Sequence, residues 1–321
     1  MIGAWLTRVV RHVTGVQAVF DAMTGLSADI GALRIDVEAT SAHVQSIRAH
    51  TWHAKETAHA SVLATLAAAD GRYSHPLSLT RHRSQVYSQN GEDGMLAEIF
   101  QRIGLPDRPF FVEIGVEDGQ ENNSRLLLEQ GWHGVWIEAS ETAAAEARNT
   151  FSHSIRSGDL RIIVAPATAE NVNALLDQAD VPADFDLLSV DVDQNTSHIW
   201  RAIERRSRVA CIEYNASLPP ARAVEVPYDP GATWDGTNWY GASLKSIENI
   251  GAVKGLALVG CDFVGANAFL VAKDKAVGRF REPFSAEAHY ELPKYSLLSH
   301  IGHRPSREAR QWVVRHDSNR A

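Results

Sequence analysis

The most constraining feature of this chain is the segment 110–138, which reads FFVEIGVEDGQENNSRLLLEQGWHGVWIE. Two short apolar runs, Phe110 to Val112 and Val135 to Ile137, flank a predicted helix from about Asn122 to Gln130. This order predicts a strand–turn–helix–strand unit with parallel strands. An acid directly after the second strand is typical of folds that hold the ribose hydroxyls of an adenosine cofactor, and Glu138 has this position.

The turn that follows the first strand is acidic. Gly115 and Gly119 lack the Gly-x-Gly-x-x-Gly spacing that holds a pyrophosphate, and Glu117, Asp118 and Glu121 lie beside them. A phosphate about 4 Å from one such carboxylate is destabilised by roughly 4 kcal/mol at an effective dielectric of 20. S-adenosylmethionine has no phosphate and carries a sulfonium and an ammonium, so the turn favours a methyl-donor site. An acidic surface turn in an ordinary βαβ unit is the alternative.

Size and charge narrow the classes of function. The 321 residues allow one large α/β domain with an appendage, and the formal net charge of −8 argues against a nucleic-acid partner. Cys211 and Cys261 lie in apolar runs, which predicts buried, reduced thiols in a cytoplasmic protein. The sequence shows no apolar stretch of membrane-spanning length, and arginines interrupt the N-terminus too often for a secretory signal.

The N-terminal 50 residues carry a heptad pattern, with seam positions spaced alternately by three and four residues. These positions are Val16, Val19, Met23, Leu26, Ile30, Leu33, Val37, Thr40, Val44 and Ile47, extended upstream by Ile2, Trp5 and Val9. An isolated helix cannot bury such a seam, so residues 1–50 are predicted to form a coiled coil that joins copies of the chain. Packing of the helix on its own domain is one alternative. Peripheral contact with an anionic membrane, through the apolar and arginine side chains of residues 5–11, is another.

The rest of the chain alternates between strand and helix patterns. Residues 51–80 are predicted to be a helical linker and residues 81–321 one α/β domain. The predicted strands after residue 138 are 161–164, 186–190, 208–212, 256–259 and 268–271, and the predicted helices are 142–150, 169–178, 198–206 and 242–250. This pattern predicts a doubly wound sheet whose terminal strand runs antiparallel to the others.

Several stretches of this domain resemble the FkbM-type methyltransferases, a branch of the S-adenosylmethionine-dependent class I enzymes. They are SQNGEDG (88–94), FVEIGVEDGQENNS (111–124), GWHGVWIEAS (131–140), DLLSVDVD (186–193), RVACIEYN (208–215), VPYDP (226–230), WDGTNWYGASL (234–244) and KGLALVGCDFVGANAFLV (254–271). The resemblance extends to the Gly-His pair at 302–303 and does not cover residues 1–80. It implies a Rossmann-like class I methyltransferase sheet and methyl transfer, usually to a hydroxyl of a sugar or another small metabolite.

The resemblance also implies roles at the cofactor. Glu113 and Gly115 are assigned to its methionine portion and Glu138 to its ribose, while Gly119, Asn123 and Asp191 complete the predicted cofactor-binding set. Thr168, Glu170 or Asn171, just past the third strand, is expected at the adenine edge. One departure concerns the loop after the acid pair Asp191 and Asp193. Related sequences tend to continue with Gly-Asn-Asp and an aromatic cluster, whereas this chain continues with Gln-Asn-Thr-Ser-His.

Acids and amides follow two neighbouring predicted strands. Asp191, Asp193, Glu213 and Asn215 offer hard oxygen ligands, which suit Mg²⁺ or Ca²⁺. These four residues are a candidate metal site, where an ion would act as a Lewis acid and a template. In the alternative without metal, the acids hold loops and the cofactor, and Asp193 or Glu213 is the predicted general base.

An aromatic and polar segment, PYDPGATWDGTNWYGAS at 227–243, follows the fifth strand. Aromatic faces beside carboxylate and amide groups suit a carbohydrate, so acceptor binding is predicted for Tyr228, Trp234, Asp235, Asn238 and Tyr240. A packed lid over the cofactor is the alternative. The histidines at 289, 300 and 303 are expected to be structural rather than to act as bases.

These observations together predict an S-adenosylmethionine-dependent O-methyltransferase. Its acceptor is expected to be a sugar, such as a surface-polysaccharide unit or its precursor. One alternative is a non-catalytic assembly protein in which the coiled coil organises a complex and the methyltransferase fold is vestigial. Another is a nicotinamide-dependent sugar oxidoreductase, which the acidic turn disfavours.

Overall fold

The computed structural model describes residues 2–69, 71–295, 303–308 and 310–315. Within the first helix the side chains at 2, 4–16, 48, 49, 52, 56 and 67 lie outside this description. The upstream extension of the seam, its position at Val16 and the membrane-facing set at 5–11 are therefore among the side chains not described, and His300 is likewise outside the described residues. The chain divides into two compact units, residues 1–59 and 60–321.

The first unit is helical throughout its described length. Helix α1 runs from Ile2 to Ala69, so the segment predicted as a coil and residues 51–69 of the predicted linker belong to one continuous helix. The large apolar side chains of the seam between Val19 and Ile47 are 46–66% exposed. Among the described helices, none has both the length and the apolar character that a bilayer crossing requires.

The second unit contains a seven-stranded sheet and a two-stranded ribbon. The strands are β1 Phe110–Ile114, β2 His133–Glu138, β3 Leu160–Val164, β4 Asp184–Val190, β5 Arg206–Glu213, β6 Val224–Glu225, β7 Leu256–Cys261, β8 Asn267–Ala272 and β9 Val313–Val314. The sheet order is β3-β2-β1-β4-β5-β8-β7, and β6 pairs with β9. Strands β1 to β5 are parallel, and β8 is antiparallel to both neighbours. The predicted doubly wound α/β sheet, with a terminal strand that runs antiparallel to its neighbours, is confirmed.

The described helices of the second unit are mostly short. After α1 they are α2 Gly71–Ser74, α3 Glu92–Ile103, α4 Arg125–Glu129, α5 Glu141–Thr150, α6 Ser152–Ser157, α7 Val172–Gln178, α8 Thr196–Ala202, α9 Leu244–Val253, α10 Lys273–Ala276 and α11 Ala286–His289. Two single 3₁₀ turns span Thr80–His82 and Asp193–Asn195. Helix α4 begins three residues later than predicted because the preceding residues are hydrogen-bonded to Glu113.

The core of the second unit lies on both faces of the sheet. Successive side chains of a strand point to opposite faces, so Val112 and Ile114 join one buried cluster and Phe111 joins the other. Trp200 anchors the first cluster and Trp136 the second, both almost inaccessible to solvent. With both faces covered, the carboxyl ends of the parallel strands are the edge where such sheets bind ligands.

Candidate active site at the strand ends

The turn after β1 is forced into shape by its two glycines. Gly115 has φ 84°, and a Cβ there would lie 1.7 Å from the carbonyl oxygen of Asp191. Gly119 has φ 74°, and a Cβ there would lie 2.6 Å from the indole ring of Trp136. Each position combines a left-handed backbone with a close neighbour, so neither accepts a side chain. The ends of β1 and β4 are thereby brought into contact.

Glu138, at the end of β2, holds this turn in place. One carboxylate oxygen accepts hydrogen bonds from the backbone N–H groups of Val116 at 3.1 Å and Glu117 at 2.8 Å. The other accepts one from the N–H of Ser140 at 2.7 Å. A carboxylate oxygen accepts about two hydrogen bonds, so the second oxygen retains capacity for one more donor. A ribose hydroxyl is a donor of the kind predicted for this position.

Glu113 and Asn123 organise the loop before α4 from within. The buried carboxylate of Glu113 accepts hydrogen bonds from the N–H groups of Asn123 and Ser124, the Asn122 amide and the Ser124 hydroxyl. Burial raises the pKa of Glu113, against the lowering effect of these hydrogen bonds. The Asn123 amide donates to the hydroxyl oxygen of Ser189 at 3.1 Å. Both predicted cofactor residues therefore shape the wall of the site, and their polar atoms are engaged with protein.

The structure brings Asp191, Asp193 and Glu213 together as a carboxylate trio. One oxygen from each lies within 4.8 Å of the others. Burial, followed by the charge of Asp193, raises the pKa of Asp191 to about 7. Burial and the charges of the other two acids raise the pKa of Glu213 well above its ordinary value, and burial with the charge of Glu117 raises that of Asp193. Asp191 and Glu213 also share a side-chain hydrogen bond, and acids held this close oppose each other's ionisation.

The loop after Asp193 links the trio to the aromatic segment. Thr196 accepts a hydrogen bond from the N–H of Val192 at 3.0 Å and donates its hydroxyl to Glu213 at 2.9 Å. The amide of Gln194 donates to the carbonyl of Trp239, and that of Asn195 donates to the carbonyl of Asp229. The residues that depart from the resembled family therefore position both Glu213 and the aromatic segment.

Asn215, the fourth residue of the predicted metal set, is engaged away from the trio. Its side-chain amide donates to the carbonyls of Asn238 and Tyr240, each at 2.9 Å. Its side-chain oxygen accepts the N–H of Ser217 at 3.0 Å. Asn215 is fully buried, and these three contacts anchor the end of the aromatic segment.

Two of the five predicted acceptor residues share an aromatic cluster with two residues from further along the chain. Trp234 lies 4.5 Å from the ring of His303 and 6.0 Å from that of Tyr240. Tyr295 lies 4.8 Å from the ring of His303, and its hydroxyl is 3.0 Å from that of Tyr240. We call Trp234, Tyr240, Tyr295 and His303 the aromatic box. Burial lowers the pKa of His303, which keeps its ring neutral at physiological pH.

The aromatic box borders the carboxylate trio. Glycine at 241, which follows Tyr240, packs so closely on the turn that a Cβ there would lie 3.3 Å from the carbonyl oxygen of Asp193. The pKa of Tyr240 is raised well above its ordinary value by burial, with contributions from Tyr295 and from the charges of Glu213 and Asp191. An acceptor lying against these rings would therefore be beside the acids.

The other three predicted acceptor residues lie elsewhere. The hydroxyl of Tyr228 donates to Glu170 and accepts the N–H of Ala169, so this ring reaches the loop after β3. Asp235 is ion-paired with Arg310 at 2.9 Å. Asn238 accepts the N–H of Ser306 at 3.0 Å. Tyr228 is thus near the expected adenine edge, whereas Asp235 and Asn238 fasten the C-terminal segment.

This C-terminal strap, residues 303–308 and 310–315, was not anticipated from the sequence. Its strand β9 pairs with β6, and Trp312 lies 4.4 Å from the ring of Trp239. Arg315 forms an ion pair with the fully buried Glu225. Tyr295 had no local signal as a site residue, and His303 was expected to be structural, because only the return of the chain brings them to Trp234.

Comparisons with known proteins give structural likenesses but no sequence relatives. No family model matches this chain, and no curated protein matches it either. The N-terminal domain of EvdMO1 with SAH bound is 15% identical, covering 58% of this chain and 80% of that one with a TM-score of 0.37. An S-adenosylmethionine-dependent methyltransferase from Clostridium acetobutylicum is 11% identical, covering 56% of this chain and 89% of that one with a TM-score of 0.36. At these identities and TM-scores neither likeness carries an activity or a substrate over to this chain.

Proposed function

We propose that this protein is an S-adenosylmethionine-dependent O-methyltransferase that acts on a hydroxyl of a sugar, such as a surface-polysaccharide unit. The observation that supports it most is the concentration of acids at one sheet edge. Glu138 closes a phosphate-repelling turn, and the carboxylate trio lies at the ends of β4 and β5. Carboxylates attract the sulfonium and ammonium of the methyl donor and repel the pyrophosphate of a dinucleotide.

The binding residues divide by the part of the cofactor that they meet. The free acceptor position on Glu138 suits a ribose hydroxyl. The loop after β3, where Tyr228 meets Ala169 and Glu170, suits the adenine. The glycine turn allows close approach of the methionine portion, and Glu113 keeps that wall rigid. S-adenosylmethionine supplies an electrophilic methyl group, and the chain must align an acceptor oxygen with it.

The aromatic box and the trio fit the acceptor and its proton. Aromatic faces pack on the C–H faces of a sugar, which places a ring hydroxyl beside Asp193 or Glu213. As the acceptor oxygen bonds to the methyl carbon and the carbon–sulfur bond breaks, the hydroxyl proton passes to one of these carboxylates. A raised pKa makes each of these carboxylates a stronger proton acceptor once it is ionised, and a positioned base contributes about 10²–10⁴-fold to such a step.

The trio also fits a divalent cation. Three carboxylates within 4.8 Å of one another are hard ligands that suit Mg²⁺, although Asn215 is engaged elsewhere. A bound ion would lower the pKa of the acceptor hydroxyl, and the three acids would hold it in their deprotonated form. The three acids therefore have one of two roles. Either one of them is the general base that accepts the hydroxyl proton, or all three bind an ion that activates the hydroxyl in place of a base.

The test is methyl transfer from labelled S-adenosylmethionine to a panel of free sugars and sugar nucleotides. Asp193→Asn is the decisive variant, because asparagine tolerates the left-handed backbone at this position, φ 54°, and removes only the charge. It should keep cofactor binding and lower turnover by about 100-fold or more. Full turnover in this variant would contradict the assignment. Activity lost to a chelator and restored by Mg²⁺ would select the metal alternative.

Binding without transfer has a separate meaning. If the protein binds S-adenosylmethionine but methylates no member of the panel, and a wider screen of hydroxyl acceptors also fails, the vestigial assembly protein is the better interpretation. If the protein binds NAD⁺ in preference to S-adenosylmethionine, a nicotinamide-dependent sugar oxidoreductase is the better interpretation.

A further inference from the structure

The exposed apolar seam of α1 indicates an interaction surface that is separate from the candidate active site. Its described large apolar positions are Val19, Met23, Leu26, Ile30, Leu33, Val37, Val44 and Ile47, all at least 46% exposed. They repeat every 3.5 residues on average, the period at which one stripe of a helix faces a supercoiled partner. A contiguous apolar stripe of this length on a soluble helix marks an interaction surface.

We propose that a second copy of this chain covers the seam, in parallel and in register. The charges that flank the seam decide the orientation. With Ile30 and Val37 at position a of the heptad, Asp29 and Asp36 lie at position g and Arg34 at position e. In a parallel pair, position g faces position e of the next heptad in the partner. Asp29 of each copy then faces Arg34 of the other.

The antiparallel arrangement is disfavoured by the same residues. It places g opposite g and e opposite e, so Asp29 of one copy faces Asp36 of the other when the two helices are aligned around residues 32–33. Arg34 would then face no acid, because the other e positions of the described segment are Phe20, Ser27 and Ser41. Like charges at such positions repel, and ordered pairs of opposite charge set partner orientation in coiled coils. Within one chain Arg34 already contacts Glu38 at 3.0 Å, which holds the guanidinium extended along the helix.

The residues of the seam favour two strands. Ile30, Val37 and Val44 at position a, with Leu26 and Leu33 at position d, match the β-branched and leucine distribution of parallel dimers. The d positions of the described segment also include Val19 and Ile47, and Thr40 is the polar one among them. When the two copies pair in register, each seam residue faces the same residue of the other copy. Thr40 therefore packs against Thr40.

An anionic membrane is the less suitable partner for this segment. Residues 17–47 carry four carboxylates and one arginine, a formal charge of −3. Interfacial helices that bind anionic lipids carry lysine and arginine on the polar face instead. The proposal concerns the first unit alone and does not depend on methyl transfer by the second.

The first test is crosslinking of the full-length protein. Ile30→Cys places thiols opposite each other only in a parallel, in-register pair, so mild oxidation should convert most of the protein to a covalent dimer. Ile35→Cys is the matched control, because Ile35 lies on the outer face and is 67% exposed. The two native cysteines are fully buried and should not react. Crosslinking through position 35 but not 30 would overturn the proposed geometry.

The second test measures the mass of the protein in solution and how dimerisation depends on the charges at positions 29 and 34. Light scattering should give a dimer for the wild type, and Asp29→Arg should weaken dimerisation about tenfold or more at low salt because two arginines then meet on each side. The pair Asp29→Arg with Arg34→Asp should recover most of that loss. A wild-type monomer would overturn the proposal. Sedimentation of a wild-type monomer with phosphatidylserine vesicles would identify a membrane as the partner instead.

Discussion

Single residues set the shape of the cofactor turn, and Gly115 is the strictest of them. Its backbone is left-handed and its α-carbon faces the Asp191 carbonyl, where a Cβ would lie 1.7 Å away. The sequence marks this glycine as a ligand-approach position. The structure adds a second reason, since the glycine also lets the ends of β1 and β4 touch.

Gly115→Ala should be far more destabilising than Gly131→Ala. Both glycines have positive φ, 84° and 87°, so both substitutions add left-handed strain of about 1–2 kcal/mol. Only Gly115 adds a backbone clash, worth about 1–3 kcal/mol or more, because a Cβ at Gly131 meets nothing within 4 Å. Urea denaturation of the wild type and of the two variants measures how far each substitution lowers the free energy of unfolding. Equal losses would mean that the turn relaxes around the added methyl.

His289 gives a residue-scale prediction for pH. It is buried, and burial, with the charge of Arg281, lowers its pKa to about 4. In the unfolded state this histidine becomes protonated near pH 6.5, whereas in the folded state it stays neutral down to about pH 4. The free energy of unfolding therefore falls as the pH is lowered from 6.5 towards 4. The contribution lost between pH 7 and pH 5 is about 1–2 kcal/mol.

The measurement is the free energy of unfolding against pH for the wild type and His289→Leu. Among the described residues, the Nε2 atom of His289 has no hydrogen-bond partner, so leucine breaks no contact at that atom. The difference between the two curves isolates this histidine from the carboxyl groups with raised pKa values, which act in the opposite direction. Parallel curves would contradict the lowered pKa.

At the scale of elements, local patterns predicted the sheet well. The five parallel strands and the closing antiparallel pair all appear, with ends shifted by at most two residues. Apolar runs of this kind specify buried strands because both faces are covered. Helix starts were less predictable. In the first turn of α3, for example, the carboxylate of Asp93 accepts hydrogen bonds from the N–H groups of Val86, Tyr87 and Ser88, which precede the helix.

The acids at the strand ends and the aromatic segment were visible in the sequence, but their partners were not. The trio could be predicted because parallel strands end at one edge. The engagement of Asn215 with the aromatic segment, and the arrival of Tyr295 and His303, depend on contacts between distant parts of the chain. No local pattern encodes such contacts.

The C-terminal strap should be held mainly by Arg315. Its partner Glu225 is fully buried, and although burial raises the pKa of that carboxyl, Arg201 and Arg315 leave it lowered overall. Arg315→Met should therefore increase hydrogen exchange in residues 311–315 by about tenfold or more. Arg310→Met is the control, because its partner Asp235 keeps 36% of its side chain exposed, so this ion pair should contribute less than the one with the buried Glu225. The same exchange in both variants would show that strand pairing alone holds the strap.

At the scale of the whole molecule, the two units carry different features. The helix of the first unit has an exposed apolar seam, for which we propose a second copy of the chain, and the sheet of the second unit gathers acids at one edge. Neither feature is visible in the composition of the chain, because its net charge of −8 is ordinary. The position of the acids, rather than their number, suits a cationic methyl donor.

The most direct test of this account is a calorimetric comparison of two cofactors. S-adenosylmethionine and S-adenosylhomocysteine share adenine, ribose and ammonium, and differ in the methyl group and the sulfonium charge. The account predicts that the wild type binds both, and that Asp191→Asn weakens S-adenosylmethionine by about tenfold while changing S-adenosylhomocysteine by less than about twofold, since only the former loses a charge interaction. Equal weakening of both ligands, or binding of neither by the wild type, would contradict it.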